Sequence, residues 1–340
     1  MKKSFAYPLI LLTSILCTCS NTSAQDPVFS QFYASPMSVN PALAGNGDAD
    51  WRLVGIRRNQ WIASGVEPLN TTSLSFDGKL IRQKSNDKNY IGGGLLFLQD
   101  YGLGGAYKSN SFNLVLSSHV SLDYEDVNGL SIGLGGTYSN TLIDFNQLTF
   151  ASQLSSAGFN RTLPTNEPYL SSIKPYYSVF AGITYTYTTE TASFDIGIAG
   201  YRFMRTNRSA LKDPNQLDPP RYNFHADYQT YLGERTAFNA NAMYVIESNI
   251  QSYTVGMNLG HILEATDDQP TVLNTGLWYR SKEAVIPYLG LMYRNLQGGL
   301  TYDINLSANR STLGNLKTFE FSLILRSPQK RNNPIPCPWK

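Results

Sequence analysis

Between Arg221 and Ile246 the chain alternates as a strand must if one face meets lipid and the other meets water. Tyr222, Phe224, Ala226, Tyr228, Thr230 and Leu232 fall on one side of the first run, against Arg221, Asn223, His225, Asp227 and Gln229. After the turn Gly233-Glu234, residues Thr236, Phe238, Ala240, Ala242, Tyr244 and Ile246 oppose Arg235, Asn239 and Asn241. The period of two and the short turn predict a hairpin with an aromatic-rich outer face and a polar inner one. Paired segments of about ten residues with this period are what a transmembrane β-barrel requires.

Extended along the chain, the same reading predicts fourteen crossing segments: 52–62, 70–80, 90–99, 110–121, 128–139, 175–187, 192–203, 221–232, 235–246, 250–262, 271–281, 284–294, 298–308 and 317–327. The clearest are 298–308, where Leu300, Tyr302, Ile304 and Leu306 alternate with Thr301, Asp303, Asn305 and Ser307, and 317–327, with Phe319, Phe321, Leu323 and Leu325 on one face. Gly92, Gly93 and Gly94 interrupt the pattern in 90–99 and mark a bulge or a close backbone approach. The even count suits a single-chain barrel, with twelve or sixteen as the alternatives. If both ends of the barrel chain are periplasmic, the connections after odd-numbered strands face outward. These include the long tracts 140–174, 204–220 and 100–109, whereas Thr188–Thr191 and Gly233-Glu234 are short periplasmic turns. Two connections of the second kind, 81–89 and 263–270, are longer than that rule prefers.

The N-terminus agrees with export. Lys2 and Lys3 precede an apolar stretch from Ala6 to Leu16, and Thr22-Ser23-Ala24 supplies small residues before Gln25, so residues 1–24 read as a cleaved signal peptide. Cys17 and Cys19 raise a lipid-anchored alternative, but Leu16 before Cys17 and Thr18 before Cys19 are poor contexts for lipid attachment. Removing Lys2 and Lys3 lowers the 27 basic side chains to 25, against 25 acidic ones, so the mature chain is neutral and nucleic acid is not an expected partner. One cysteine, Cys337, is left, which excludes an intramolecular disulfide. No later stretch reaches the 18 or so apolar residues of a membrane helix, and a closed barrel is the other way to satisfy a backbone in lipid. A soluble β-sandwich would also alternate, but it has no use for 22 tyrosines and 16 phenylalanines, which girdles at two membrane interfaces explain.

Catalytic and cofactor chemistry is sparse. His119, His225 and His261 each stand alone on separate predicted strands, with no metal-ligand spacing to another His or Cys. His119 and Ser121 share a face, inward by the parity of Leu114 and Leu116, whereas an outer-membrane lipase needs such a pair on the lipid side with an oxyanion donor. Gly102-Leu103-Gly104-Gly105 lacks a phosphate-binding Lys-Ser/Thr, and Asp123–Asp126 and Asp267-Asp268 lack calcium-loop spacing. The expectation is a protein without catalytic site, metal or cofactor.

The flanking segments carry more identity. Residues 25–51 contain Phe29, Phe32 and Tyr33 together with Pro36, Asn40 and Pro41; the prolines preclude one regular helix, and the aromatics predict packing in the lumen or at the periplasmic mouth. The barrel occupies 52–327, and a periplasmic tail, 328–340, holds Lys330, Arg331 and Trp339 among four prolines. The opening Asp26–Gly45, Arg58-Asn59-Gln60-Trp61, Asp144–Leu148, Tyr279-Arg280, Tyr293-Arg294, Leu300–Ser307 with Tyr302 and Asp303, Phe319-Glu320-Phe321 and Cys337-Pro338 together resemble the PorP/SprF family of type IX secretion and gliding proteins of Bacteroidetes. The resemblance implies an outer-membrane barrel beside the type IX translocon. It would serve export or surface attachment of sorting-domain proteins such as adhesins, with periplasmic coupling components as partners. Phe29, Phe32, Tyr33, Asn40, Pro41, Lys330, Arg331 and Trp339 are the partner-binding candidates. The competing function is a porin or hydrophobic-solute channel, for which the polar inner faces would line the conduction path.

Overall fold

The computed structural model describes residues 28–63, 67–83, 86–156, 158–166, 173–204, 217–233, 235–264, 271–306 and 316–328. The predicted signal and the tail residues Lys330, Arg331, Cys337 and Trp339 lie outside the described residues. Fourteen strands form one closed antiparallel barrel: β1 (Trp51–Ile62), β2 (Leu69–Gln83), β3 (Asn86–Gly102), β4 (Tyr107–Ser121), β5 (Asn128–Ile143), β6 (Tyr176–Thr188), β7 (Ala192–Tyr201), β8 (Arg221–Tyr231), β9 (Thr236–Glu247), β10 (Ile250–Glu264), β11 (Thr271–Arg280), β12 (Ala284–Tyr293), β13 (Leu296–Asn305) and β14 (Lys317–Arg326). Each pairs with its sequence neighbours, and β14 closes on β1 from Arg52↔Arg326 to Ile62↔Lys317. A two-residue hairpin, Leu154–Ser155 with Gly158–Phe159, decorates the β5–β6 connection.

Alternation fixes the two faces. On β14, Thr318, Glu320, Ser322, Ile324 and Arg326 point inward and are buried, while Phe319, Phe321, Leu323 and Leu325 face out. The predicted hairpin is β8–β9, with Tyr222 and Phe224 outward and Asn223 and His225 inward. Its inner face is not uniformly polar, because Ala237, Met243 and Val245 also point inward and are buried.

All fourteen predicted segments are strands, and the main departures concern length. Connection 81–89 shrinks to the link at 84–85, and 100–109 to 103–106, because β2 and β3 pair from Asn70↔Tyr101 to Gln83↔Asn86. Polar outward residues at the strand ends stop the hydrophobic alternation without stopping the ladder. The glycine run shows both expected features. A register shift between Lys79 and Ile81 lies opposite Gly92 and Ile91, and a Cβ on Gly92 would stand 2.4 Å from Ala44 O.

Residues 28–45 lie inside the barrel, and Asp48 and Asp50, just before β1, are exposed. Pro36 begins the single helical turn α1 (Pro36–Val39), and Pro41 begins a 3-10 turn, Pro41–Leu43. Proline at the first turn suits both, since its missing N–H would have no intrahelical partner there. Asn40 divides the two turns in extended conformation and caps the second, its Oδ1 accepting from Ala42 N at 2.9 Å. The segment reaches walls on opposite sides of the lumen. Phe29 packs with Val54, Ile56 and Ile324, Phe32 and Val39 pack with Met243, Val245 and Trp278, and Met37 and Ala44 pack with Leu96, Val115 and Phe180.

Candidate functional site: the occupied lumen

The lumen segment is held at three levels. At its N-terminal end, Glu320 receives two backbone donors, Ser30 N to Oε2 and Gln31 N to Oε1, both at 2.8 Å. Arg58 bridges the two buried acids, with Nη1 3.0 Å from Glu320 Oε2 and Nη2 2.9 Å from Asp303 Oδ2. Arg280 Nη1 adds a second cation 3.1 Å from Asp303 Oδ2. The Ser30 hydroxyl sits among them, donating to Asp303 Oδ1 at 2.7 Å and accepting from Arg280 Nη2 at 2.9 Å and from Arg58 Nη1. Ser322 Oγ donates to Gln31 Oε1 at 2.6 Å.

At mid-depth the Asn40 amide donates to Ile183 O at 3.0 Å and to Thr184 Oγ1 at 3.1 Å, and lies 3.0 Å from His225 Nε2. Asn223 Nδ2 donates to Val39 O at 2.9 Å, and Tyr201 OH to Met37 O at 3.1 Å. At the C-terminal end, Ala44 O accepts from Ser117 Oγ at 2.7 Å and His119 Nε2 at 2.9 Å. Gly45 N donates to Asp77 Oδ2 at 2.8 Å, and that carboxylate is paired with Arg52 Nη2, also at 2.8 Å.

The charge distribution is one-sided. Residues 28–47 contain no ionisable acid or base except tyrosine, so every ionic group in these anchors belongs to the barrel wall. Arg58, Arg280, Asp303 and Glu320 balance one another, and the segment adds neutral hydrogen bonds to an already neutral cluster. Its apolar contribution is larger. Phe29, Phe32, Met37, Val39 and Ala44 are all buried, and burying each large apolar side chain contributes about 1.5–3 kcal/mol. Tyr33 stacks on Trp278 with centroids 4.9 Å apart, and Trp278 Nε1 donates to Asn241 Oδ1 at 2.6 Å. Where the lumen opens beside Asn46–Asp48, a cavity of about 290 Å³ lies among Lys79, Tyr90, His119, Ser131, Ser193 and Tyr231.

The sequence candidates divide accordingly. Phe29, Phe32, Tyr33, Asn40 and Pro41 all face this chain's own lumen. Arg58 and Asp303 meet in the ionic cluster, and Gln60, with its amide oxygen turned to the guanidinium, accepts from Arg58 Nε and Nη2 at 3.2 Å. Trp61 and Tyr302 stay apart from it. Trp61 is exposed within the register shift between Asn59 and Ile62 at the end of β1, with φ 62°, and Tyr302 lies against Phe319 with ring centroids 4.8 Å apart. Glu320, Arg280 and Ser30 complete the cluster without having been singled out as site residues. For Glu320 the signal was a lone charge at an inward position between aromatic neighbours, Phe319-Glu320-Phe321, whereas Ser30 carries no charge and offered no such sign.

The family model for the type IX secretion system membrane protein PorP/SprF matches residues 21–325. The chain belongs to this family. It is therefore a type IX secretion membrane component with an outer-membrane β-barrel fold. No curated protein matches the chain by sequence. Solved structures with a similar trace include the P. putida toluene transporter TodX, with TM-score 0.47, 9% identity and coverage of 85% of this chain and 92% of that one. A TodX deletion variant described as a monoaromatic hydrocarbon channel reaches TM-score 0.48 at 11% identity, with the same coverage. A Pseudomonas aeruginosa FadL homologue reaches 0.47 at 9% identity, covering 84% of this chain and 92% of that one.

Proposed function

We propose that this PorP/SprF protein is a closed, non-enzymatic scaffold of the type IX machinery. In this reading it supports export or surface attachment of sorting-domain proteins such as adhesins, and it docks these substrates and periplasmic coupling components without conducting them. The observation that carries the reading is the lumen segment. Its buried apolar side chains and anchors reach from Glu320 on β14 to Ser117 on β4, across the path a porin would need. The burial of Phe29, Phe32, Met37 and Val39 alone contributes on the order of 8 kcal/mol, so spontaneous withdrawal is rare. With Phe29, Phe32, Tyr33, Asn40 and Pro41 engaged inside, partner binding on the periplasmic side falls to Lys330, Arg331 and Trp339, where Trp339 is the large apolar anchor of a proline-stiffened tail.

Two measurements test this. In planar bilayers the full chain should be silent, whereas a chain lacking residues 28–45 should conduct; steady conductance by the intact protein would establish the porin reading instead. In the native membrane, deletion of the protein should deplete surface display of at least one sorting-domain protein, and Trp339→Ala should weaken copurification of periplasmic partners while leaving the barrel assembled. An unchanged surface proteome would rule out the secretion role.

A further inference from the structure

The outer wall of β1–β5 changes character sharply along its strands. Leu74, Phe97, Phe112, Tyr138 and Tyr177 lie side by side in one cross-strand row, with the Phe97–Phe112 and Tyr138–Tyr177 ring centroids 4.8 and 5.1 Å apart. Below this row the outward residues are mainly apolar. On β4 they run from Phe112 to Val120, and at about 3.3 Å per residue with a tilt near 40° that stretch covers roughly 20 Å, most of the height of an outer-membrane apolar band. The aromatic row therefore marks a membrane interface.

Two residues further along each strand the chemistry inverts. Arg57, Thr72, Gln99, Asn110 and Asn140 form the next outward row, and Asn59, Asn70, Tyr101, Lys108 and the exposed Leu142 the one after. Side chains within these rows bond to one another. Gln99 Nε2 donates to Asn110 Oδ1 at 2.9 Å, Arg57 Nη1 to Thr72 Oγ1, and Asn59 Nδ2 to Asn70 Oδ1. Lys108 Nζ lies 5.7 Å above the Tyr101 ring. Arg57 and Lys108 are exposed, as is Lys317 at the same end of β14. Among the described residues none of the three forms an ion pair with a carboxylate, and the outward positions of both rows hold no Asp or Glu. Of the nearby acids, Asp100 accepts from the inward Thr71, Asp144 accepts from Gln147 within its connection, and the exposed Glu67 lies beside Gly104 of the β3–β4 turn, outside both rows.

We propose that this face binds the phosphate-bearing headgroup of an outer-leaflet glycolipid. An interface row of aromatics below, amide and hydroxyl donors at headgroup height, and three exposed cations with no ion pair among the described residues are complementary to a phosphorylated, hydroxyl-rich headgroup. Arg57 and Lys108 stand three strands apart, about 14 Å at the interstrand spacing, so one headgroup with two phosphates can engage both. The site lies at the end carrying the connections after odd-numbered strands, which the proposed orientation places outside the cell.

The full-length protein in phosphatidylcholine nanodiscs doped with diphosphoryl lipid A provides the test, with bound lipid counted by native mass spectrometry after detergent release. The wild type should retain lipid A and not its dephosphorylated form. Each basic group at a membrane surface is worth about a fivefold gain, so the combined Arg57→Gln, Lys108→Gln, Lys317→Gln variant should lose retention on the order of a hundredfold. Heat-modifiable migration verifies its barrel. Should the triple variant not assemble, Lys108→Glu alone tests the same point and should lower retention more than Lys108→Gln. Equal retention of dephosphorylated lipid, or unchanged retention by the variants, would overturn the proposal. So would loss of a copurifying protein with lipid retention intact, which would make this face a protein interface.

Discussion

Glu320 is fully enclosed, and its two oxygens accept the backbone of Ser30 and Gln31 while facing Arg58. Removing it leaves two backbone donors without their acceptor and Arg58 with Asp303 as its one remaining carboxylate in this cluster, shared with Arg280. Breaking a buried pair from one side costs about 3–5 kcal/mol, whereas replacing both partners by apolar groups of similar volume is far milder. Glu320→Ala should therefore lower the temperature of the heat-modifiability transition strongly, while Arg58→Met combined with Glu320→Met should cost less than the sum of the single changes. Additive losses in that double-mutant cycle would show that the two residues act independently. At this scale the sequence was partly legible. Arg58 and Asp303 could be named from a motif, but a motif does not tell which charges share one buried volume. Tyr302 neighbours Asp303 in sequence yet faces the opposite way, because successive strand residues alternate between faces.

The strands were legible because a wall between lipid and lumen imposes a period of two on every one of them. What fills the lumen was less so, since alternation reports two environments without stating what occupies the inner one. The clues lay in exceptions. Val54, Ile56, Met243, Val245 and Ile324 are apolar at inward positions where water would favour polar groups, and each packs in a cluster with the lumen segment. Inward glycines mark where the segment approaches the wall. A Cβ on Gly133 would stand 2.2 Å from Pro41 C and Ala42 N, and one on Gly182 would stand 2.1 Å from Asn40 Oδ1. The contacts at Gly133 are backbone atoms, which cannot rotate away. Gly133→Ala should displace Asn40–Ala42 and expose the segment to limited proteolysis while the barrel still migrates as a folded, heat-modifiable species. Gly298→Ala, where nothing lies within 4 Å of the new Cβ, is the matched control and should be silent. Equal protease resistance in both would mean that the segment is not seated against β5 as described.

For the whole molecule, loop length separates the two ends of the barrel more sharply than the sequence allowed. Connections after odd-numbered strands include 144–175, 202–220 and 306–316, whereas those after even-numbered strands are 84–85, 122–127, 189–191, 232–235, 265–270 and 294–295. Of the two tracts that had strained the rule, 81–89 is almost wholly taken up by strand extensions, whereas 263–270 shortens only to 265–270. Barrels of this class keep short turns on the periplasmic side and longer loops outside, and on that ground we propose that Trp51 and Arg326 lie toward the periplasm. The lumen segment then runs from Ser30, beside Arg280 near the outer end of β11, to Gly45, beside Asp77 nearer the periplasmic end. A direct check uses single cysteines in a Cys337→Ser background. Ser156→Cys, in the exposed β5–β6 connection, should react with an impermeant maleimide on intact cells. Glu125→Cys, in the exposed turn 122–127, should react only after the outer membrane is ruptured. The reverse pattern would invert the barrel, move the cationic rows of β1–β5 to the inner leaflet and put the cavity beside Asn46–Asp48 at the cell surface. The orientation therefore decides which partners can reach each face.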